Sequence, residues 1–267
     1  MSGFSVSWLD LREPADHDAR DKDLAAKLVS YLQSDVEISP IIVDLGSGTG
    51  STLRALTTMG AHRCVWRLVD HDPGLLNEAL RRHGQSEIVE DYEADLHEIN
   101  ALPLGGIALL SASALFDLVS AQLIDALVAR LRQQSAAFYA ALNYDGRTQW
   151  TPPHPLDEAV LSAFNQDQRR DKGLGPALGP DAASYLKTAL EAAGYTVQLG
   201  DSPWRLGPDQ QALAAELVRG IRTAVGNGYG LSEDELEDWQ RFRLSHVDSG
   251  AALIGHIDVL AFPPGVD

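Results

Sequence analysis

The chain of 267 residues carries 38 acidic against 21 basic residues, a formal net charge of −17, so a nucleic-acid backbone would meet repulsion over most of its surface. Apolar residues make up 45% and charged residues 22%, a globular balance that excludes a wholly disordered or fibrous chain. The length suits one domain spanning 1–267, and a lone Cys64 cannot close an intramolecular disulfide, which points to a reducing compartment.

The start, Met1 to Trp8, lacks the basic segment and apolar run of a secretory signal, and no stretch reaches the length of a membrane span, so the expected location is the cytoplasm with no membrane partner. Leu24, Leu28 and Leu32 recur at helical spacing and predict one helix over about 10–33. After Pro40, the run Ile41-Ile42-Val43 predicts a strand, followed by a Gly-rich turn and a helix through Leu53 and Leu56. Further strands are predicted at 64–70, near 87–93, at 107–110 and at 136–142, with a helix opening at Pro73 and another over 117–133. Such alternation argues for a mainly parallel sheet with helices on both faces.

The second half is less regular. A Pro-rich segment at 151–155 precedes a helix ending in Arg169-Arg170, then a Gly/Pro loop over 173–180 of the kind that often forms a lid. A helix over 181–193, a strand at 195–199, two helices within 208–246 and a strand at 253–262 complete the chain.

The turn Gly46-Ser47-Gly48-Thr49-Gly50 lets backbone approach a ligand, because residues without a Cβ permit positive φ and close contact. Asp44 precedes it, Asp70 ends the second strand beside His71, and Asp95-Leu96 follows the third. Singly, each acid could be a helix cap and the glycines a plain tight turn. Together they fall at successive strand ends, where open parallel sheets bind ligands.

Val43-Asp44-Leu45-Gly46-Ser47-Gly48-Thr49-Gly50 resembles the first motif of the class I S-adenosylmethionine-dependent methyltransferases. The resemblance covers about 36–145 with motif-level support. It implies a Rossmann-like, seven-stranded α/β fold whose last strand is antiparallel, and S-adenosylmethionine as cofactor. It also implies that Asp44 orders the turn and the methionine end, that Asp70 accepts from the ribose hydroxyls, that Asp95 and Leu96 border the adenine, and that Ser111 and Ser113 close the pocket. Arg20 would hold the methionine carboxylate if it reaches over the site, although an arginine there more often remains a surface charge. A nicotinamide dinucleotide is the competing cofactor; Ser51 stands where its fingerprint wants Gly or Ala.

Methyl transfer demands alignment of the acceptor, exclusion of water and, for a protonated acceptor, removal of a proton. By the resemblance, acceptor contacts fall after the fourth and fifth strands and in insertions, which gives Phe116, Asp117, Asn143, Tyr144, Trp150, His154 and the segment 164–180. Asp117, His154 and Tyr144 are the candidates for proton handling. Asn165, Arg169, Lys172 and Arg205 form a locally basic set that could hold an anionic group, or could be a solvated helix end. Tyr144, Trp150, Trp204 and Tyr229 could instead cage an amine or flat ring. No metal site is predicted. The expected organisation is an N-terminal helical lid over 1–35, a cofactor-binding core over 36–145, and lid insertions at 150–180 and 203–250. The expected activity is methylation of a small molecule at O, N or S, with no nucleic-acid partner and homodimerisation left open. A non-catalytic cofactor-binding sensor or partner subunit and a protein methyltransferase are the alternatives.

Overall fold

In the computed structural model, which describes residues 4–34, 37–226 and 228–265, the alternation of the first half becomes a parallel sheet. The strands β1 (Ile41–Leu45), β2 (Val65–Asp70), β3 (Ile88–Glu93), β4 (Leu109–Ser113) and β5 (Ala137–Thr151) run parallel in the order β3-β2-β1-β4-β5. β6 (Thr196–Asp201), β7 (Trp204–Leu206) and β8 (Ala251–Phe262) complete it, with β8 antiparallel to β5 on one side and to β6 and β7 on the other. The sheet therefore has 8 strands where seven were expected. The extra one arises at Pro203, which has no N–H to donate and splits one ladder along β8 into β6 and β7; Ser202 just before it still donates its backbone N–H to His256 O at 2.9 Å.

The helices are α1 (Val6–Ala19), α2 (Lys22–Leu32), α3 (Ser51–Thr58), α4 (Pro73–His83), α5 (Ala121–Gln134), α6 (Asp157–Gln168), α7 (Ala182–Ala192), α8 (Gln211–Val225) and α9 (Glu233–Leu244). Side-chain alternation along β1 feeds two cores. Val43 and Leu45 pack with Leu127 and Leu131 of α5 and Leu186 and Leu190 of α7, while Ile42 packs with Leu28, Leu56 and Leu76 of α2, α3 and α4. Each such fully buried Leu or Ile is worth about 1.5–3 kcal/mol relative to exposure. A separate cluster joins Val160 of α6, Val218 and Ile221 of α8 and Leu236 and Trp239 of α9.

Four boundaries differ from the sequence expectation. The single helix over 10–33 is two, because Asp21 caps a new start by accepting from Leu24 N at 2.8 Å while its own N–H donates to Asp258 of β8. The fourth strand is shifted to Leu109–Ser113, and the helix expected over 117–133 begins only at Ala121, after a 3-10 turn over Phe116–Leu118. The fifth strand does not stop at 142. The register shifts between Ala140 and Asn143 and between Tyr144 and Thr148, with Leu142 at φ 59 and Gly146 at φ 86, are bulges that let β5 continue past the carboxyl end of β4. β5, β7 and the start of β8 thus make a ribbon that overhangs the sheet edge.

Candidate active site at the carboxyl edge

The Gly-rich turn lies between β1 and α3 with Gly46, Gly48 and Gly50 at φ +60, +54 and +83, a region costly for other residues. A Cβ at Gly48 would lie 3.0 Å from Leu9 of α1, and one at Gly46 would lie 3.4 Å from Leu115. The turn is therefore roofed by α1 and by the segment after β4. Gly48 N–H donates to Asp70 Oδ2 at 2.9 Å, and Asp72 N–H donates to Asp70 Oδ1 at 3.0 Å, so the acid at the end of β2 is locked beside the turn with lone pairs to spare. His71 is exposed, its Nδ1 3.3 Å from Asp70 Oδ1.

Asp44 is 1% exposed; Ser111 Oγ donates to its Oδ1 at 2.7 Å, and its Oδ2 has no partner. Burial pushes its carboxyl up to about 6, against the pull of Ser111, Arg20 and Thr52. Ser47 Oγ is also buried and unpartnered. Arg20, expected more as a surface charge, is 2% exposed: Nη2 donates to Ser113 Oγ at 2.7 Å, while Nε and Nη1 have no hydrogen-bond partner. Thr52 Oγ1 donates to the same Ser113 Oγ at 3.2 Å. Against the cost of burial, Tyr139, Asp258 and Asp16 hold this guanidinium charged, and the two nitrogens without partners are left to donate to a ligand. At the β3 end, Asp95 is exposed and accepts from His97 N and Nδ1 at 2.9 and 2.8 Å, which holds its carboxyl below the usual range, and Leu96 packs on the core.

Beyond β4, the 3-10 turn presents Asp117, 8% exposed, with Oδ1 unpartnered. Burial raises its carboxyl to about 6, partly offset by the Arg12 guanidinium. Phe116 faces the other way, into the core against Phe138. The Gly/Pro loop fixes this turn: Ser120 N donates to Leu174 O at 3.1 Å and Leu178 N to Val119 O at 3.0 Å. Near Asp117 lie Tyr144, whose hydroxyl feels its charge, and Arg12; His256 and Trp204 join them through Tyr144 and Arg12. The Tyr144 and Trp204 rings have centroids 6.2 and 5.3 Å from that of His256. Arg12 stacks over Trp204 at 5.0 Å and pairs with Asp16 at 2.8 and 3.1 Å, and Trp204 Nε1 donates to Asp16 at 2.9 Å. Arg12, Asp16, Thr52 and His256 escaped the sequence reading. No motif marks them; the folding of α1 over the edge brings Arg12 and Asp16 to the site, and the antiparallel β8 brings His256.

Several other candidates have their partners elsewhere. Asn143 is buried at the bulge, donating to Ala140 O and Ile257 O, so it shapes β5, although its Oδ1 is unpartnered. His154 is engaged by the lid, with Nε2 3.4 Å from Asp238 and its ring 4.8 Å from Phe242. Trp150 is packed between Trp239 and Arg243. The basic set is neutralised within the protein: Lys172 and Arg170 pair with Asp167 at 2.5 and 3.3 Å, Arg169 with Asp181 at 2.9 Å, and Asn165 accepts from Tyr144 at 2.9 Å and donates to Gly146 O. Arg205 is exposed on β7. Among the described residues no group of three His, Cys, Asp or Glu is placed to hold a metal, and no helix is long and apolar enough to cross a membrane.

The architecture is the Rossmann-like methyltransferase fold. A solved structure of a cyclopropane-fatty-acyl-phospholipid synthase-like protein from Lactobacillus casei matches 94% of this chain and 99% of its own at 12% identity, with a TM-score of 0.51. The plantazolicin methyltransferase, solved with S-adenosylhomocysteine, matches over 96% of this chain and 88% of its own at 12% identity and a TM-score of 0.47. No family model and no curated protein sequence matches the chain.

Proposed function

We propose that this chain is an S-adenosylmethionine-dependent methyltransferase acting on a small molecule. One observation carries the reading: of the 14 buried polar side-chain atoms without partners among the described residues, five belong to four residues on this one carboxyl edge. They are Asp44 Oδ2, Ser47 Oγ, Arg20 Nε and Nη1, and Asp117 Oδ1. Their chemistry suits the cofactor. The Arg20 guanidinium would take the methionine carboxylate, Asp44 and Ser47 its ammonium end, the bare turn the middle of the molecule, Asp70 the ribose diol, and Asp95 with Leu96 the adenine. When bound, S-adenosylmethionine supplies an electrophilic methyl group on a sulfonium. The methyltransferases among the solved structures of similar fold, such as the plantazolicin methyltransferase, are consistent with this reading.

The protein's own residues then do three things. Leu9 and Leu115 cover the turn and exclude water. Tyr144 and Trp204 pack in the apolar cluster on the overhanging ribbon, and Asp117 stands near Tyr144 with a free carboxylate oxygen, its raised affinity for protons suiting it to serve as a general base. His154 and the 165–172 basic set, satisfied within the protein, are assigned no catalytic part. Titration calorimetry with S-adenosylhomocysteine tests the site: wild type should bind, and Asp70→Ala should lose about tenfold or more in affinity. Equal affinity in the variant removes the ribose assignment.

A further inference from the structure

Resting on the methyl-transfer reading, we propose that the acceptor is a small organic amine, held as its ammonium form by Asp117 and His256 against the rings of Tyr144 and Trp204. The charge balance of the pit is the first ground. Arg12 is bound to Asp16 through two hydrogen bonds at 2.8 and 3.1 Å and only partly offsets the burial of Asp117, whose Oδ1 is left without a partner. A buried carboxylate without a partner is costly, and a ligand cation would remove that cost.

The second ground is the kind of hydrogen bond on offer. His256 is 6% exposed, and burial together with Arg12 drives its imidazole down to about 3, so it is neutral at physiological pH. The Ile254 and Ser202 backbone pull its ring towards the protonated form, while its Nδ1 has no partner and would accept an N–H in the tautomer that carries the proton on Nε2. Asp117 Oδ1 is likewise an acceptor. Both call for a donor-rich ligand, and aromatic faces favour a cation over a neutral group of the same shape.

The third ground is what the pit lacks. Its one arginine is occupied by Asp16 and Trp204, so a carboxylate or phosphate would meet Asp117 without compensation. In the transfer, the ammonium first gives a proton to the Asp117 carboxylate. The freed nitrogen lone pair forms the N–C bond as the methyl–sulfur bond breaks, the electron pair stays on sulfur, and Asp117 passes its proton to solvent.

Binding decides this without any turnover. The protein saturated with S-adenosylhomocysteine is titrated calorimetrically with benzylamine, benzyl alcohol and benzoate, which share one ring and differ in charge. Benzylamine should bind about tenfold or more tighter than benzyl alcohol, and benzoate should not bind. Asp117→Asn, with its fold checked by circular dichroism, should erase that preference. Equal or tighter binding of the alcohol or of benzoate to the wild type overturns the proposal whether or not the variant folds, as does a preference that survives in folded Asp117→Asn. If S-adenosylhomocysteine itself fails to bind, the underlying methyl-transfer reading falls and takes this inference with it; uptake of the nucleoside without an amine preference sinks this inference alone.

Discussion

Asp117, proposed as the proton acceptor, is buried at the expense of stability. Its carboxyl is raised from 3.8 to about 6 by burial, so between those values the folded protein holds a proton that the unfolded chain has released. Its contribution to stability therefore falls as pH rises through that window. Asp117→Asn removes the effect: melting curves at about pH 3 should coincide with wild type, and at pH 7.5 the variant should be more stable by about 2 to 3 kcal/mol while losing methyl transfer. A variant less stable at the higher pH would show that the carboxylate has a partner. Arg20 obeys the converse rule. Against the cost of burial, Tyr139, Asp258 and Asp16 hold its guanidinium charged, so Arg20→Met strands the buried Asp258 and should melt lower than wild type, as well as bind S-adenosylhomocysteine about tenfold or more weakly. At this scale the sequence marked Asp44, Asp70 and the glycines, because a motif keeps its spacing. It was silent on His256, whose role depends on the strand register that sets it opposite Tyr144.

In the proposed function the element that decides access is α1. Glu13 forms a bidentate pair with Arg54 of α3, Asp10 pairs with Arg82 of α4 at 2.7 and 3.0 Å, and His17 reaches Ser51 at 3.1 Å, so the helix is strapped to the two helices that flank the Gly-rich turn. Breaking the straps with Asp10→Asn and Glu13→Gln together should speed both uptake and release of S-adenosylhomocysteine in stopped-flow measurements, with a smaller change in affinity than in either rate. Unchanged rates would mean that α1 does not gate the pocket. The Gly/Pro loop is a second case. Composition suggested a mobile lid, and the structure shows a packed strap: Gly175 is at φ +82, where a Cβ would lie 2.9 Å from that of Ser120. Gly175→Ala should lower stability by about 1–3 kcal/mol, read by denaturant unfolding. The strand extension at 143–151 was hidden for a related reason. Asn143 to Arg147 have the polar, Gly-containing composition of a turn, and only pairing with β8 makes them a bulged strand.

For the whole molecule, periodicity and strand-end motifs revealed the three-layer α/β arrangement, since each strand of a parallel sheet must carry its apolar pattern locally. They could not reveal the site's second half. That half is assembled from α1, β5, β7 and β8, elements separated by most of the chain and joined only by the antiparallel placement of β8. The formal charge of −17 acts at this scale too, and no shift of RNA or duplex DNA should appear in gel assays at about 0.15 M salt. The claim on which all else depends is that a sulfonium nucleoside lies on the bare turn between Asp44 and Asp70, and crystals grown with S-adenosylhomocysteine test it most directly. Density along Gly46–Gly50, with the carboxylate on Arg20 and the ribose on Asp70, is the predicted result. Leu9 still seated on Gly48, with no density along the turn, would contradict it.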